Sequence, residues 1–265
     1  MKEDYDGESI LVNKDRGIAT IYLNEPETLN ALSMNLKYQL LDTLNEIERD
    51  NHINVVIIAG KGKAFCAGGD VKAMARDEYD PIVIKRNLEV STSIIDKIRK
   101  MRKITIAAIH GYAAGAGLSL ALSSDLIVAE EETKLILSFK NVGLTPDLGI
   151  HYHLPRIVGE WKAKEWIFKG MKLSVEEAVN YGFLIDVVPK GQSQEKAFEL
   201  ASELAAGPLQ AFIQSKLLIN SGSNLKLEDI MEKENDLHTI LRATNDHKEG
   251  INAFFERRTA RFSGR

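Results

Sequence analysis

Phe65-Cys66-Ala67-Gly68-Gly69-Asp70 follows the apolar run Val55-Val56-Ile57-Ile58-Ala59, and Gly111-Tyr112-Ala113-Ala114-Gly115-Ala116-Gly117 follows Ile104-Thr105-Ile106-Ala107-Ala108-Ile109. Each pair reads as a buried strand running into a turn of small residues. Side chains this small let another group come close to the backbone, and a turn that opens a helix leaves N–H groups without intrahelical acceptors. Two such turns can aim two N–H donors at one oxygen, the arrangement that stabilises a developing oxyanion. A carbonyl-bearing substrate is the first expectation.

Outward from these turns, the N-terminal part alternates strands and helices. Ser9–Asn13 and Gly17–Leu23 read as strands about the turn Lys14-Asp15-Arg16-Gly17. Ser33 suits the N-cap of an amphipathic helix to about Asp50, with Leu36, Leu40, Leu41, Leu44 and Ile47 on one face. A short helix from about Val71 follows the first turn, and a longer one over Ile82–Lys100 places Leu88, Ile94, Ile95 and Ile98 toward a core. The second turn leads into a short helix through about Leu122, then a strand at Asp125–Ala129, a further strand at Leu135–Leu137, and the loop Val142-Gly143-Leu144-Thr145-Pro146-Asp147.

From Leu148 the pattern turns helical, broken near Gly159, Gly170, Gly182 and Gly207-Pro208, with one strand at Ile185–Val188. From Gln192 it is helical throughout. This predicts an α/β core over residues 1–191 and a helical C-terminal region over residues 192–265. No linker separates independent domains, and the strand–strand–helix rhythm carries no sequence self-similarity.

The 265 residues suit one large domain or a core with a smaller appendage. A hydrophobic fraction of 44% with 27% charged residues is that of an ordinary soluble globular protein, and a net charge of −4 gives no reason to expect nucleic acid or an anionic membrane as partner. Met1-Lys2-Glu3-Asp4-Tyr5-Asp6 is polar and acidic with no apolar stretch behind it, and no run approaches the roughly 20 apolar residues that cross a bilayer. Cys66, alone, permits no intrachain disulfide and fits a reducing compartment. The histidines and the cysteine are scattered without metal-ligand spacing. A cytoplasmic enzyme without a metal is the expectation.

Several separated segments resemble the crotonase (enoyl-CoA hydratase/isomerase) family in order and spacing. Leu23-Asn24-Glu25-Pro26-Glu27-Thr28-Leu29-Asn30-Ala31-Leu32 is similar to the family's L-N-x-P-x-x-x-N-A-L segment. Phe65 through Val71 and Gly111 through Asp125 resemble its two oxyanion segments. Gly143 through Gly159, with Leu154-Pro155-Arg156, resembles the stretch that follows them, and Glu249-Gly250-Ile251-Asn252-Ala253-Phe254-Phe255-Glu256-Arg257-Arg258 is close to the family's E-G-x-x-A-F-x-E-K-R. The resemblance spans nearly the whole chain. It implies a spiral of repeated ββα units with a helical C-terminal region that serves trimerisation and covers the coenzyme pocket. It further implies homotrimers or dimers of trimers, and an acyl-CoA thioester as substrate, so that coenzyme A arrives as part of the substrate and no separate cofactor is needed.

Carried over by position, the resemblance assigns the two oxyanion N–H groups to Gly69 and Ala116; the second is a departure, since glycine is usual there. It places coenzyme A along Ala31, Gly68, Asp70, Val71 and Lys72. The two glutamates that hydrate an enoyl-CoA in this family fall on Ser119 and Phe139, neither of which is a general base of the required kind. Phe139 could instead wall an apolar acyl pocket, and Ser119 either places a hydroxyl in that pocket or bonds a backbone carbonyl. Asp147 matches a position where some relatives, enoyl-CoA and dienoyl-CoA isomerases and an aryl-CoA dehalogenase among them, carry a catalytic aspartate. One carboxylate suffices to move a double bond, because it can take a proton from one carbon and return it to another.

The favoured expectation is therefore enoyl-CoA double-bond isomerisation through Asp147. The alternatives are hydration of a 2-enoyl-CoA, as in fatty-acid degradation, by Asp147 alone or with Ser119 assisting, and a non-catalytic CoA-binding protein. A plainer role for Asp147 is capping a helix that begins at Leu148. His151, four residues on, could share a helix face with it. The dehalogenase reading wants a histidine and a tryptophan near the ring, and neither His110, His151 and His153 nor Trp161 and Trp166 fall in place.

Other motifs carry less. Gly117-Leu118-Ser119-Leu120-Ala121 is a nucleophile elbow with its last glycine missing and its serine beyond the turn. Gly115-Ala116-Gly117 lacks the third glycine of a dinucleotide fingerprint, since Leu120 stands there. Gly60-Lys61-Gly62-Lys63 lacks the spacing of a phosphate loop. Arg257-Arg258-Thr259-Ala260-Arg261 and Lys72 are candidates for coenzyme A phosphates, with solvated positions the plainer reading.

Overall fold

The computed structural model of the chain describes residues 7–75, 80–222 and 225–264, so the acidic start Met1–Asp6 lies outside the described residues. In chain order the strands are β1 (Ile10–Asp15), β2 (Ile18–Leu23), β3 (Val55–Gly60), β4 (Ile104–Ile109), β5 (Tyr112–Ala114), β6 (Leu126–Glu130), β7 (Lys134–Ile136), β8 (Lys172–Leu173) and β9 (Asp186–Val188). The helices of the first half are α1 (Met34–Arg49), α2 (Val71–Met74), α3 (Pro81–Lys100) and α4 (Ala116–Leu122). Those of the second are α5 (Ile150–Val158), α6 (Glu160–Lys169), α7 (Val175–Asn180), α8 (Ser193–Ala205), α9 (Leu209–Gly222), α10 (Leu227–Leu241) and α11 (Asn245–Glu256).

β3 and β4 are buried at every position, as parallel strands covered on both faces must be, and this is why they read as unbroken apolar runs. They sit at the centre of a six-stranded sheet in the order β1-β2-β3-β4-β6-β9, parallel except for the β1–β2 hairpin. Alternate side chains divide between two cores. Val56, Ile58, Ala107 and Ile109 face α1 and α3, where Leu36, Leu40, Leu44, Ile94 and Ile98 pack. Val55, Ile57, Ile104 and Ile106 face Ala197 and Ala201 of α8 and Leu209 and Ile213 of α9. The change to helical pattern after residue 191 therefore marks no break in packing, because α8 and α9 close the second face of the sheet.

β4 and β6 are each followed by a shorter strand that belongs to a different sheet, and the segment after β3 makes isolated bridges in the same place. β5, β7 and β8 form a second, three-stranded sheet in that order, and isolated bridges Cys66↔Ala113 and Leu32↔Gly69 continue it back toward the N-terminus. Strand, cross-strand and helix thus repeat as a crotonase-like spiral of ββα units, followed by a helical C-terminal region. The segment read as one small-residue turn over Gly111–Gly117 contains a strand, β5, because its backbone pairs with β7 on one side and Cys66 on the other.

Local signals hold where expected. Ser33 caps α1, its hydroxyl accepting from the Leu36 N–H at 3.1 Å. Ile94, Ile95 and Ile98 are buried, but Leu88, expected to face the core with them, is 45% exposed. It borders a cavity instead. Among the described residues, no helix is long and apolar enough to cross a membrane.

Candidate active site

The second sheet brings the two small-residue turns side by side. The Cys66 N–H donates to the Tyr112 carbonyl and the Ala114 N–H to the Cys66 carbonyl, both at 3.0 Å, while the Leu32 N–H donates to the Gly68 carbonyl at 2.7 Å. Contact is close enough to require glycine. Gly68 has φ +103°, and a Cβ there would stand 2.6 Å from the Ala114 oxygen and 3.4 Å from the Ala116 nitrogen. Gly115 turns the chain into α4 with φ 48° and ψ −121°, backbone that side chains avoid, and leaves Ala116 as the first helical residue.

Ala116 N–H is thus one of the orphan donors of a helix start. Among the described residues, no protein group accepts from the N–H of Gly69 or of Ala116. Gly69 and Ala116 both border one cavity of about 520 Å³. Its walls are largely apolar, with Leu32, Met74, Leu88, Val142, Leu144 and Leu148 among them.

Asp147 borders the same cavity. Its Oδ1 is buried and, among the described residues, has no hydrogen-bond partner. Burial pushes this carboxyl above its ordinary range, opposed by its own backbone N–H and by the positive charge of Lys37, which also borders the cavity. The capping role does not hold: α5 begins at Ile150, with Gly149 as its N-cap and no side-chain cap bond. Because Asp147 precedes that helix, it shares no helix face with His151, whose residue is exposed.

The other expected positions divide. Ser119 is fully buried and donates its hydroxyl to the Asp147 carbonyl at 3.1 Å. It bonds a backbone carbonyl, as one of its two expected roles had it, and is not part of the cavity lining. Phe139, expected to wall the pocket, does not border this cavity either. A 3-10 turn over Ser138–Val142 carries its ring under Gly115, where a Cβ would stand 3.8 Å from the Phe139 ring tip. Of the coenzyme positions, Asp70 and Val71 border the cavity, Asp70 also capping α2 by accepting from the Ala73 N–H at 3.0 Å. Ala31 is buried, Gly68 is engaged with Leu32 through its carbonyl, and Lys72 is exposed.

In the C-terminal tail, Arg258 is held by Glu249 at 2.6 Å and by Glu256 at 2.5 Å, which folds this arginine back on α11. His110 contacts the Gly62 carbonyl at 3.1 Å, Trp161 is exposed and Trp166 is buried in the core. None of these borders the cavity. No group of three metal-ligating side chains occurs among the described residues. Lys37 and Met74 went unforeseen. Lys37 follows the buried Leu36 on an amphipathic helix, where periodicity assigns it to solvent, and only the loop carrying Asp147 makes that solvent a cavity.

The profile of the enoyl-CoA hydratase/isomerase family matches residues 13–265. The Bacillus subtilis (strain 168) protein YhaR, whose name places it in that same group, is 39% identical over 92% of this chain and 95% of its own. The 1,2-epoxyphenylacetyl-CoA isomerase of Escherichia coli (strain K12) is 32% identical over 97% of this chain and 99% of its own. The crystal structure of an enoyl-CoA hydratase from Polaromonas sp. JS666 superposes with a TM-score of 0.92 at 32% identity, covering 96% of this chain and 99% of that one. Proteins named hydratase and isomerase stand at the same distance from this chain.

Proposed function

This chain belongs to the enoyl-CoA hydratase/isomerase family of acyl-CoA-acting, crotonase-fold proteins, and from that premise we propose that it moves a double bond along an enoyl-CoA. One observation carries the reading. Among the described residues, the one carboxylate oxygen left buried and unpartnered belongs to Asp147, which borders the same cavity as Gly69 and Ala116 with their free N–H groups. The two positions where a hydratase of this family carries its glutamates hold Ser119 and Phe139.

The chemistry balances with these groups alone. The Asp147 carboxylate takes a proton from C2 of a 3-enoyl-CoA, and the electron pair of that C–H bond moves into the thioester carbonyl. The resulting dienolate oxygen accepts hydrogen bonds from Gly69 and Ala116, which are preorganised by the strained turns and need no reorientation as charge develops. The same carboxyl then returns the proton to C4, the carbonyl re-forms, and the product is a 2-enoyl-CoA. Burial strengthens Asp147 as a base by raising its carboxyl. The apolar walls exclude the water that would otherwise intercept the intermediate. Coenzyme A is assigned to Ala31, Gly68, Asp70, Val71 and Lys72, and the working assembly to a homotrimer or dimer of trimers.

Asp147→Asn tests this directly. Conversion of 3-enoyl-CoA to 2-enoyl-CoA is expected to fall by about 10³-fold, while binding of a saturated acyl-CoA persists. Unchanged turnover would sink the reading. Efficient addition of water to a 2-enoyl-CoA by the unaltered enzyme would move it to hydration.

A further inference from the structure

We infer that Ser119 is a positioning residue for Asp147, its hydroxyl clamping the Asp147 main chain to the helix that presents the Ala116 N–H. The inference rests on the proposed role of Asp147 as the proton carrier and names what aims it.

A carboxylate is usually oriented by bonds to its own oxygens, but Asp147 Oδ1 accepts none from the described residues. The carboxyl's own backbone N–H acts on it as a donor, so its aim depends on how that backbone is held. The Asp147 carbonyl receives two donors, the Ser119 hydroxyl at 3.1 Å and the Ile150 N–H at 3.2 Å. The Ser119 oxygen also stands 3.4 Å from the Gly115 carbonyl, the contact that a helical serine makes with the preceding turn. A hydroxyl has one proton to give. The shorter approach assigns it to Asp147.

The peptide being held is under strain. Leu148, directly after Asp147, has φ +51°, the left-handed region that a branched, bulky residue enters at a cost of about 1–2 kcal/mol. Such a conformation persists only where its surroundings over-determine it. Rotation of the Asp147–Leu148 peptide would relieve Leu148 and swing the carbonyl away from Ser119, and the Asp147 backbone that carries the carboxylate would lose that anchor. Ser119 blocks that rotation from a rigid base, being fully buried on α4 three residues after Ala116. One helical turn and one hydrogen bond therefore fix the separation between an oxyanion donor and the base. The serine at a position where a hydratase of this family has a glutamate then has a task of its own: it no longer carries a proton but holds the group that does.

Ser119→Ala removes the hydroxyl and little volume. In the isomerisation assay its kcat is expected to fall about 10- to 100-fold, the loss that follows an ångström-scale misplacement of a reacting group. KM and saturated acyl-CoA binding are expected to stay within about twofold of the parent. The acid limb of the kcat/KM profile is expected to move to lower pH, because a carboxylate released toward water returns toward its ordinary range. Ser119→Cys, near in size with a weak S–H donor, is expected to fall between. In an Asp147→Asn background, Ser119→Ala is expected to cost nothing further, since the two residues act as one unit.

A Ser119→Ala enzyme with lowered Tm but parental kcat and pH limb overturns the inference and makes Ser119 a packing residue. So does a further loss of turnover in the Asp147→Asn background. Parental turnover in Asp147→Asn itself overturns the proposed function and the clamp together. An inactive Asp147→Asn beside an unaffected Ser119→Ala overturns the clamp alone.

Discussion

Two aspartates withdrawn from solvent are treated in opposite ways by this fold. Asp125, just before β6, has one oxygen fully engaged: its Oδ2 accepts from the Thr105 N–H at 2.7 Å, the Thr105 hydroxyl at 2.8 Å and the Lys216 ammonium at 2.8 Å. Lys216 directs its other bonds to the Ile98 and Lys103 carbonyls at 2.9 and 2.7 Å, so all three of its donors are engaged. This network ties α9 to the end of α3 and the start of β4. Asp147, beside a cavity, has a buried oxygen that accepts from none of the described residues. A saturated carboxylate holds structure and has no reactivity left to offer; an unsatisfied one destabilises the fold and keeps its affinity for a proton.

The largest effect expected from breaking this contrast is at Asp147. Beyond the loss of turnover, about 4 kcal/mol of transition-state stabilisation for a 10³-fold effect, Asp147→Asn is expected to leave the fold as stable or more stable. The sign follows from burial. A carboxyl whose folded pKa is raised favours the protonated folded state, so stability is full at acid pH and is lost as pH rises through the folded pKa. The amide carries no charge, and its gain should appear at neutral pH and vanish in acid. A thermal-melt series across pH, run beside the activity assay, checks both halves. A variant that loses activity and stability together would erase the distinction between the two aspartates.

At Asp125 the pattern should invert. Asp125→Asn leaves the Lys216 ammonium buried without its counter-charge, and removal of one partner from a buried pair costs about 3–5 kcal/mol. Turnover per folded molecule should be unchanged. Burial already pulls the Lys216 ammonium below its usual range despite Asp125. In the variant the deficit should therefore be greatest near neutral pH and narrow as alkali lets Lys216 shed its proton. Chemical denaturation at two pH values reads the difference. A deficit that does not respond to alkali would mean that the lost Thr105 bonds, not the stranded ammonium, carry the cost.

The two sites also differ in how far the sequence discloses them. Asp147 could be picked out because it lies in a continuous motif and because Ser119 and Phe139 lack the carboxylates expected there. The turns around Gly69 and Ala116 were equally legible, since close approach of backbone demands small residues in runs. The Asp125–Lys216 pair joins residues far apart in the chain, on a strand end and on a helix whose apolar pattern gives its lysine to solvent. Nothing local marks Lys216 as buried. The placing of Phe139 is hidden for a related reason: its apolar chemistry is legible, but whether its ring meets a cavity or the underside of Gly115 depends on the path of a 3-10 turn. Leu88 shows the converse, a core-spaced residue at which the core has ended and the cavity begun.

A smaller effect would sharpen the account of Asp147 from its other side. Lys37 is the charge that partly offsets the rise in the Asp147 carboxyl. Lys37→Met should move the acid limb of kcat/KM upward, opposite in direction to Ser119→Ala. Opposite shifts from two substitutions at one cavity would separate an electrostatic neighbour from a positioning one. Shifts of the same sign would mean that both act by moving the carboxylate.

The smallest effect concerns a group between the two extremes. His153, on α5 beside the Asp147 loop, has its Nε2 at 3.4 Å from an Arg99 guanidinium nitrogen. Arginine can only donate, so Nε2 must accept, the ring must be neutral, and its proton must sit on Nδ1. Burial lowers this imidazole to about 4, and the cations Arg99 and Arg156 push in the same direction. A lowered pKa means that the folded state prefers the neutral ring. Stability is full above the unfolded value of 6.5 and declines as pH falls from there to about 4. His153→Gln, which keeps an acceptor for Arg99 but cannot be protonated, should flatten the Tm–pH curve in that window by a few degrees and leave it unchanged above. Because a Cβ on Gly149 would stand 3.2 Å from this ring, the histidine backs the turn between Asp147 and α5. If acid disturbs that turn through His153, the kcat of the parent should fall more steeply below pH 6.5 than that of His153→Gln. Identical acid limbs would confine His153 to stability and leave the aim of Asp147 to the Ser119 hydroxyl.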